Sequence, residues 1–571
     1  MRTRLSFFTV LRFALTSMFF LVCLLFFQIT NLPAGEIEQN FAEYLNTLSP
    51  DEFVSAIVIM ADQADVKSLS AALKGERATR QERHRRVVSA LKTAASISQG
   101  DILDHLQARK IQGAVKGYTP YWIMNLVVVQ ATIEELQRIA ARSDVDIVES
   151  NFRASLIEPV GDKTKSVRIP DKGIGVTPGL RAVKADSVWY QLGITGLGRL
   201  VANLDTGVDG VHPALSARWR GNHEPWQECW RDALGYGDTT PTDYYGHGTH
   251  VMGTMCGLGA GTNDTIGIAW EAEWIADNAI NQGVTPEFDN DVVDAFQWFA
   301  DPDGNPGTLD DVPDVVQNSW GIYSYWPGYE DCDYRWQTVI ENCEVAGVVC
   351  IFSAGNEGPG SATHRSPANI CKTHTTNFSV GAVDATNYNF PYPIANFSSR
   401  GPSDCDLRSR KPEVVAPGVQ VYSSVPGGGY EWYWWSGTSM AGPHVAGVVA
   451  LMRQANPDLE VDSIKQILMS TAVDLGDFGN DNAYGWGVID AYQAVLAASQ
   501  SSYLAGDANG DGVVELADVV YLLNYLYRSG PAPDPMASGD PNADCVVELA
   551  DLVYLINYLY KSGPAPQQGC A

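Results

Sequence analysis

Positive charge is scarce in this 571-residue chain: 38 Lys and Arg stand against 67 Asp and Glu, a formal net charge of −29 with a pI near 4.6. A nucleic-acid partner requires clustered Lys and Arg against its phosphates, so that function class is excluded. Acidity of this degree favours solubility and cations instead. Long apolar runs are also few. One covers residues 13–27, behind Arg2, Arg4 and Arg12 and ahead of the small Ala34 and Gly35. That order reads as an export signal over residues 1–34, with no stable membrane span once it is removed. The alternative is an uncleaved anchor, since the run lies near the lower length limit for a spanning helix. Cys23 follows Val22 rather than a small residue, so it reads as part of the apolar run and not as a lipoprotein site.

What is present points to a globular, turn-rich protein: 45% hydrophobic residues, 18% charged, 53 Gly and 30 Pro. The length predicts three or four separately packed parts. Nine cysteines remain after the signal: Cys229, Cys256, Cys332, Cys343, Cys350, Cys371, Cys405, Cys545 and Cys570. An exported chain can oxidise them, but their pairing is not fixed by sequence, and the odd number leaves at least one unpaired unless it bonds another chain. Cys350, in the apolar run VVCIF, reads as an inert buried thiol.

From about residue 50 to 150 the pattern runs strand, helix, strand, helix, strand: FVSAIVIM, an Arg-rich helical stretch around 83–110, WIMNLVVVQ, IEELQRIAAR and VDIVE. This predicts a small α+β unit over 36–155. Residues 155–180 lose periodicity and gather Lys, Pro and Gly, so 156–184 reads as a linker. Between 185 and 498, apolar runs such as RLVANL, DVVQNSW, GVVCIFSAG and FSVGAV alternate with helical stretches, which predicts an α/β fold with a parallel sheet covered by helices on both faces.

Three motifs carry chemistry. LDTGVDG sets Asp205 after RLVANL, GHGTHV sets His247 in a glycine-flanked loop, and SGTSMAGPHVAG sets Ser439 where a turn enters a helix. A serine hydroxyl needs a base for its proton, an acid to orient that base, and donors for the oxyanion that its attack creates. Asp, His and Ser in this chain order supply the first two, and the absence of a G-x-S-x-G elbow around Ser439 argues against an esterase or lipase.

On these motifs, with SAGNEGPG between the last two, the chain resembles the subtilase family over roughly 185–498, and the long acidic insert before NSWG is similar to the bacillopeptidase F branch. The resemblance implies a subtilisin-like fold and peptide-bond hydrolysis by the triad Asp205, His247 and Ser439. It implies Asn356 as the side-chain oxyanion donor beside the Ser439 amide. Ser319, Trp320 and Gly321 of NSWG become the strand edge for extended substrate, and Ser353, Ala354 and Gly355 the facing wall of the first pocket. The aromatic run EWYWWSG before Ser439 either lines nearby subsites or packs in the core. Residues 36–155 resemble a ferredoxin-like propeptide that templates the protease and blocks its cleft, with processing between 151 and 179; an unrelated accessory domain is the alternative. His212, His250 and His444 read as structural histidines, Asp209 as turn chemistry, and the carboxylates of 301–314 as an acidic surface loop rather than a metal site.

The final segment, 499–571, repeats itself, with Asp507 and Asp540 in equivalent places 33 residues apart. Each copy is an acidic loop and one amphipathic helix, so the two can bury their apolar faces together. Asp507, Asn509, Asp511, Val513 (through its carbonyl) and Asp518 fall at loop positions 1, 3, 5, 7 and 12, and Asp540, Asn542, Asp544, Val546 and Asp551 repeat them, a spacing of hard oxygens that suits Ca2+. Asp at position 12 with a single exit helix resembles a dockerin module and implies a cohesin-like partner. Two departures bear on this: Cys545 replaces the turn glycine and has Cys570 as an alternative partner, and Leu516, Ala517, Leu549 and Ala550 stand where recognition residues are often polar. A calcium-stiffened module with no protein partner is the plainer reading.

The chain as a whole therefore reads as a secreted zymogen of a serine endopeptidase, acting on protein or peptide substrates and on its own propeptide. The alternative is a non-catalytic binding protein that docks through its repeats. All four catalytic residue types are present, and that separates the two.

Overall fold

The computed structural model describes residues 35–76, 78–165, 175–259, 265–280, 288–387, 389–499, 505–510, 513–533, 536–544, 546–561 and 563–567. The signal at 1–34, Asp511, Cys545 and Cys570 lie outside the described residues. The chain packs as two compact units, one ending at Tyr492 and the other beginning at Gln493.

The first unit starts with an α+β layer: β1 Glu36–Ile37, α1 Gln39–Leu45, β2 Phe53–Met60, α2 Val66–Gly75, α3 Arg80–Ser98, α4 Gly100–Ile111, β3 Val115–Tyr121, β4 Leu126–Thr132, α5 Ile133–Ala140 and β5 Val145–Ser150. The strands form one sheet in the order β1-β5-β2-β4-β3, antiparallel except for β1 against β5. Thr79 and Thr132 accept from the Glu82 and Glu135 amides and so start α3 and α5. β3 carries little strand signal, with Lys116, Gly117 and Pro120 in it; Pro120 is tolerated because β3 is an edge strand. Phe41, Val58, Met60, Leu106, Val127, Leu136 and Ile139 form the core of this layer.

A two-residue strand, β6 Ser155–Leu156, leads on to the larger part of the unit. Its elements are β7 Leu200–Leu204, β8 Trp230–Arg231, α6 His247–Cys256, β9 Glu273–Asp277, α7 Asp291–Ala300, β10 Val315–Asn318, β11 Trp320–Gly321, α8 Thr338–Val345, β12 Val349–Ser353, β13 Phe378–Val383, β14 Val414–Pro417, α9 Thr438–Ala455 and α10 Val461–Ser470. Seven strands make a sheet in the order β14-β13-β12-β10-β7-β9-β8, parallel throughout. After β9 the chain crosses to the other side of β7 to form β10. That reversal opens a crevice at the carboxyl ends of β7 and β10, the usual place for a site in such a sheet. Asp205 and Ser319 follow those two ends in sequence.

α9 crosses this sheet with every side chain from Thr438 to Arg453 buried. Its small residues allow the approach: a Cβ added at Gly442 or Gly447 would lie 2.4 Å from the Gln317 side chain or from Ile268. Cys332 and Cys405 form a disulfide across 73 residues. Cys229, Cys256, Cys343, Cys350 and Cys371 are free thiols. Cys350 is buried in β12, and burial holds its thiol well above the ordinary range, as an inert core cysteine requires.

In the second unit, α11 Leu516–Arg528 and α12 Leu549–Lys561 pack through Val519, Leu522, Leu552 and Leu555. Among the described residues no helix is long and apolar enough to cross a membrane.

Candidate active site

Asp205 follows the last residue of β7, His247 opens α6, and Ser439 is the second residue of α9. Asp205 Oδ1 lies 2.8 Å from His247 Nδ1 and also accepts from the Thr206 amide at 2.8 Å. All three side chains are fully buried, and His247 Nε2 has no hydrogen-bond partner. A carboxylate on Nδ1 fixes the tautomer that leaves Nε2 as the acceptor. Gly246 has φ +100, and a Cβ on Gly248 would fall 2.0 Å from the Gly207 carbonyl oxygen, so glycines on both sides of His247 bring its loop against the Asp205 strand.

Asp243, which the sequence reading passed over, ties these segments together. Its Oδ1 accepts from Thr206 Oγ1 at 3.0 Å, the Tyr245 amide at 3.0 Å and the Gly246 amide at 2.7 Å. Its Oδ2 accepts from the Thr249 amide at 2.9 Å and Thr249 Oγ1 at 2.6 Å. Burial pushes its carboxyl up to about 6, partly offset by these donors and reinforced by the nearby Asp205. The signal was an aspartate four residues before the histidine of GHGTHV, which has no meaning until the loop closes on Thr206.

Asn356 is oriented by α9, the helix that carries Ser439: its Oδ1 accepts from the Thr438 amide at 2.9 Å and from Thr438 Oγ1 at 3.0 Å. This leaves the Nδ2 amide to donate, and it does so to the Glu158 carbonyl at 2.8 Å. Gln317, Ser319 and Ser353 bond one another beneath the cleft at 3.1–3.2 Å. Ala354 and Gly355 continue that wall, Gly355 through its amide to Thr438 Oγ1 at 3.1 Å. The Trp320 side chain is core, donating to Asn318 Oδ1 at 3.1 Å, while its backbone forms the cleft edge. Trp435 of the aromatic run stacks on His250, ring centroids 4.3 Å apart, and lies 6.1 Å from the His247 ring.

His212, His250, His444 and Asp209 are each engaged with backbone groups. His250 bonds the Val421 carbonyl and is held well below its ordinary range by burial. His444 bonds Met440 O and falls to about 4 for the same reason. His212 bonds Gly429 O. Asp209 accepts from the Val211 and Gly427 amides as a turn residue.

The chain's own segment 155–160 fills the cleft. β6 pairs antiparallel with β11, Leu156 opposite Trp320 and Ser155 opposite Gly321. The Ile157 amide donates to Ser319 O at 2.9 Å and the Val160 amide to Ser436 O at 2.8 Å. Ser439 Oγ donates to the Ile157 carbonyl at 2.9 Å. The Ile157–Glu158 peptide therefore lies over Ser439. The carbonyl held by Asn356 is that of Glu158, one residue further on, so the carbonyl beside Ser439 is not the one in the Asn356 grip.

In the second unit the repeat carboxylates accept from backbone amides of their own loops. Asp518 accepts from the Asn509 amide at 3.1 Å and the Glu515 amide at 2.8 Å. Asp544 accepts from the Val546 amide at 3.1 Å, and Asp540 from the Asp544 amide at 3.1 Å. Asp551 is fully buried with Oδ1 unpartnered, and burial with Asp540 and Asp544 nearby pushes it up to about 6. An orphaned carboxylate oxygen among further oxygen donors fits a hard cation such as calcium. Asp507 is also buried in the first copy.

Residues 196–487 match the model of the Subtilase family, and residues 505–562 that of the Dockerin type I domain. Bacillopeptidase F of Bacillus subtilis (strain 168) is 36% identical over 497 residues, 83% of this chain but 32% of that protein, so the chain spans about a third of that relative's length. Serine protease AprX of the same strain is 32% identical, covering 53% of this chain and 67% of AprX. Subtilisin E is 30% identical, covering 55% and 70%. Among solved structures, fervidolysin from Fervidobacterium pennivorans, a keratinolytic enzyme related to subtilisin, shares the fold with a TM-score of 0.51 at 21% identity, over 78% of this chain and 61% of that one.

Proposed function

Because the chain belongs to the subtilase family and carries a Dockerin type I domain, we propose that it is a secreted serine endopeptidase made as a zymogen, with Asp205, His247 and Ser439 as its triad. The observation that carries the reading is the pairing of a 2.8 Å Asp205–His247 contact with a serine 2.9 Å from a peptide carbonyl, on a backbone already laddered along β11. His247 Nε2 takes the Ser439 proton as Oγ attacks the carbonyl carbon, then delivers it to the departing amine. Asp205 holds the tautomer and stabilises the imidazolium. Asn356 Nδ2 and the helix start at Ser439 answer the oxyanion. Water then releases the acyl group through the same base.

Residues 36–155 act as the propeptide and 155–160 as its cleft-blocking end. The ladder register supports Ile157–Glu158 as the bond cut in maturation. For that cut the Ile157 carbonyl displaces that of Glu158 at Asn356, and until then the precursor is latent. Main-chain pairing along β11 supports protein and peptide substrates of broad sequence.

The repeat module binds calcium through Asp507, Asn509, Asp511, Val513 and Asp518 and through Asp540, Asn542, Asp544, Val546 and Asp551. Calcium when bound would neutralise these carboxylates and stiffen the loops. Exposed Leu516, Val520 and Tyr527 on α11 recur as exposed Leu549, Val553 and Tyr560 on α12; this repeated apolar face supports a cohesin-like partner.

Casein hydrolysis by the purified chain and by Ser439→Ala tests the enzymatic reading. Activity in the first and none in the second is expected. A folded, matured wild type that cleaves no peptide or ester would sink it.

A further inference from the structure

The acidic segment 301–314 holds five aspartates and no basic residue, and it contributes nothing to the triad. It lies against α3, the Arg-rich helix of the N-terminal layer. Arg80 is buried: Nη1 donates to Asp314 Oδ1 at 2.6 Å, Nη2 to Pro313 O at 2.9 Å and Val312 O at 3.4 Å, and its amide to Asp458 Oδ1 at 2.9 Å. One turn on, Arg83 Nη2 donates to Glu460 Oε1 at 2.6 Å and His84 Nε2 meets Ala300 O at 2.8 Å. Further along, Lys92 pairs with Asp301 and donates to Gly304 O at 2.8 Å. Positions 80, 84 and 92 recur at helical spacing and share a face.

A buried guanidinium persists only where it is paired and hydrogen-bonded, and each of these acceptors belongs to the receiving face. Asp314 keeps partners of its own on that face, the Leu200 amide at 3.1 Å and Arg199 Nη1 at 3.8 Å. None of these groups reaches the cleft.

We infer that α3 and this acidic face form an ionic clasp, separate from the cleft-filling strand, that keeps the N-terminal layer docked after the Ile157–Glu158 bond is cut. The face formed by Ala300 to Asp314 with Asp458 and Glu460 is a docking surface, and its partner is the chain's own helix with Arg80, Arg83, His84 and Lys92. The inference rests on the maturation reading above. Inhibition outlasts cleavage at low ionic strength, and salt releases it: the screening length shortens from about 10 Å at 0.1 M to about 3 Å at 1 M, which weakens the Arg83–Glu460 and Lys92–Asp301 pairs, each with one partly exposed member, before the buried Arg80–Asp314 pair.

The test uses the full chain and a charge swap at the Arg83–Glu460 pair, whose arginine is buried and whose glutamate is 30% exposed. After self-cleavage, gel filtration reads how much of the N-terminal layer stays with the catalytic part. The wild type retains it in about 0.1 M salt and loses it in about 1 M. Arg83→Glu and Glu460→Arg each weaken retention about tenfold. Together they restore most of it, the shortfall arising from Lys74 Nζ, 3.9 Å from Glu460 Oε2. Retention indifferent to salt and to both single changes, or no recovery in the double variant, overturns the clasp. Absence of cleavage in the wild type would count instead against the maturation reading. The clasp is then read in the uncleaved Ser439→Ala chain by amide exchange over residues 80–98, which must quicken with Arg83→Glu and slow again in the swap; unchanged exchange overturns it.

Discussion

Asp243 performs two opposed tasks on one carboxyl. Its charged form accepts the Gly246 and Thr249 amides and so holds the loop that carries His247, yet burial disfavours that charge and pushes the group up to about 6. A carboxyl raised in the folded state adds stability that is complete below its unfolded value near 4 and is lost as pH rises through about 6. The wild type should therefore lose melting temperature between about pH 4 and 6 relative to Asp243→Asn. Activity moves the other way, because protonation removes an acceptor from the His247 loop. Asn at 243 carries one acceptor oxygen where Asp has two, so kcat should fall about 10- to 100-fold with KM little changed. Parallel melting curves, or a loss confined to KM, would refute the positioning role. The proposed triad could be named from the sequence because its chemistry tolerates few residue types at three motifs, and the fold sets Asp205 2.8 Å from His247. Asp243 could not be, since its role depends on Thr206, 37 residues earlier in the chain and brought within 3.0 Å by folding.

Elements show the same division. β2 coincides with the run FVSAIVIM because that strand is central and buried, whereas β3 was missed because an edge strand tolerates the Lys, Gly and Pro that mask it. The place of β6 in the cleft could not be read from two residues, since it depends on pairing with β11 far along the chain. Cysteine pairing was equally closed to sequence. Cys332–Cys405 closes 73 residues and anchors the loop after β11, where Trp326 Nε1 donates to Asn151 O at 2.9 Å and Ser150 Oγ to Pro327 O at 2.8 Å. Replacing both cysteines by serine should cost about 2–4 kcal/mol, read as a lower urea midpoint. An unchanged midpoint would show that the bridge does not constrain the unfolded chain.

At the scale of the molecule, the acidic excess has identifiable destinations: the face that receives α3, and the repeat loops of the second unit. The repeat was the most legible feature of the chain, and α11 and α12 follow it, because a loop of ligands and an amphipathic helix are both local patterns. Calcium at a hundredfold excess over Kd should stabilise the second unit by about 2.7 kcal/mol per site and so raise its thermal transition. Calorimetry in calcium and in chelator checks this, and Asp507→Asn with Asp540→Asn should abolish the difference. A second unit that melts identically in both would remove the calcium reading.

If Ser439 acts on the peptide bond that the fold lays across it, the new N-terminus formed on maturation records the cut. Mass spectrometry of the matured wild type should find a chain beginning at Glu158, and the Ser439→Ala chain should remain uncut there. Cleavage at that bond in Ser439→Ala, or a wild type whose first cut falls outside the 155–160 segment, would rule out Ser439 as the residue that cuts there.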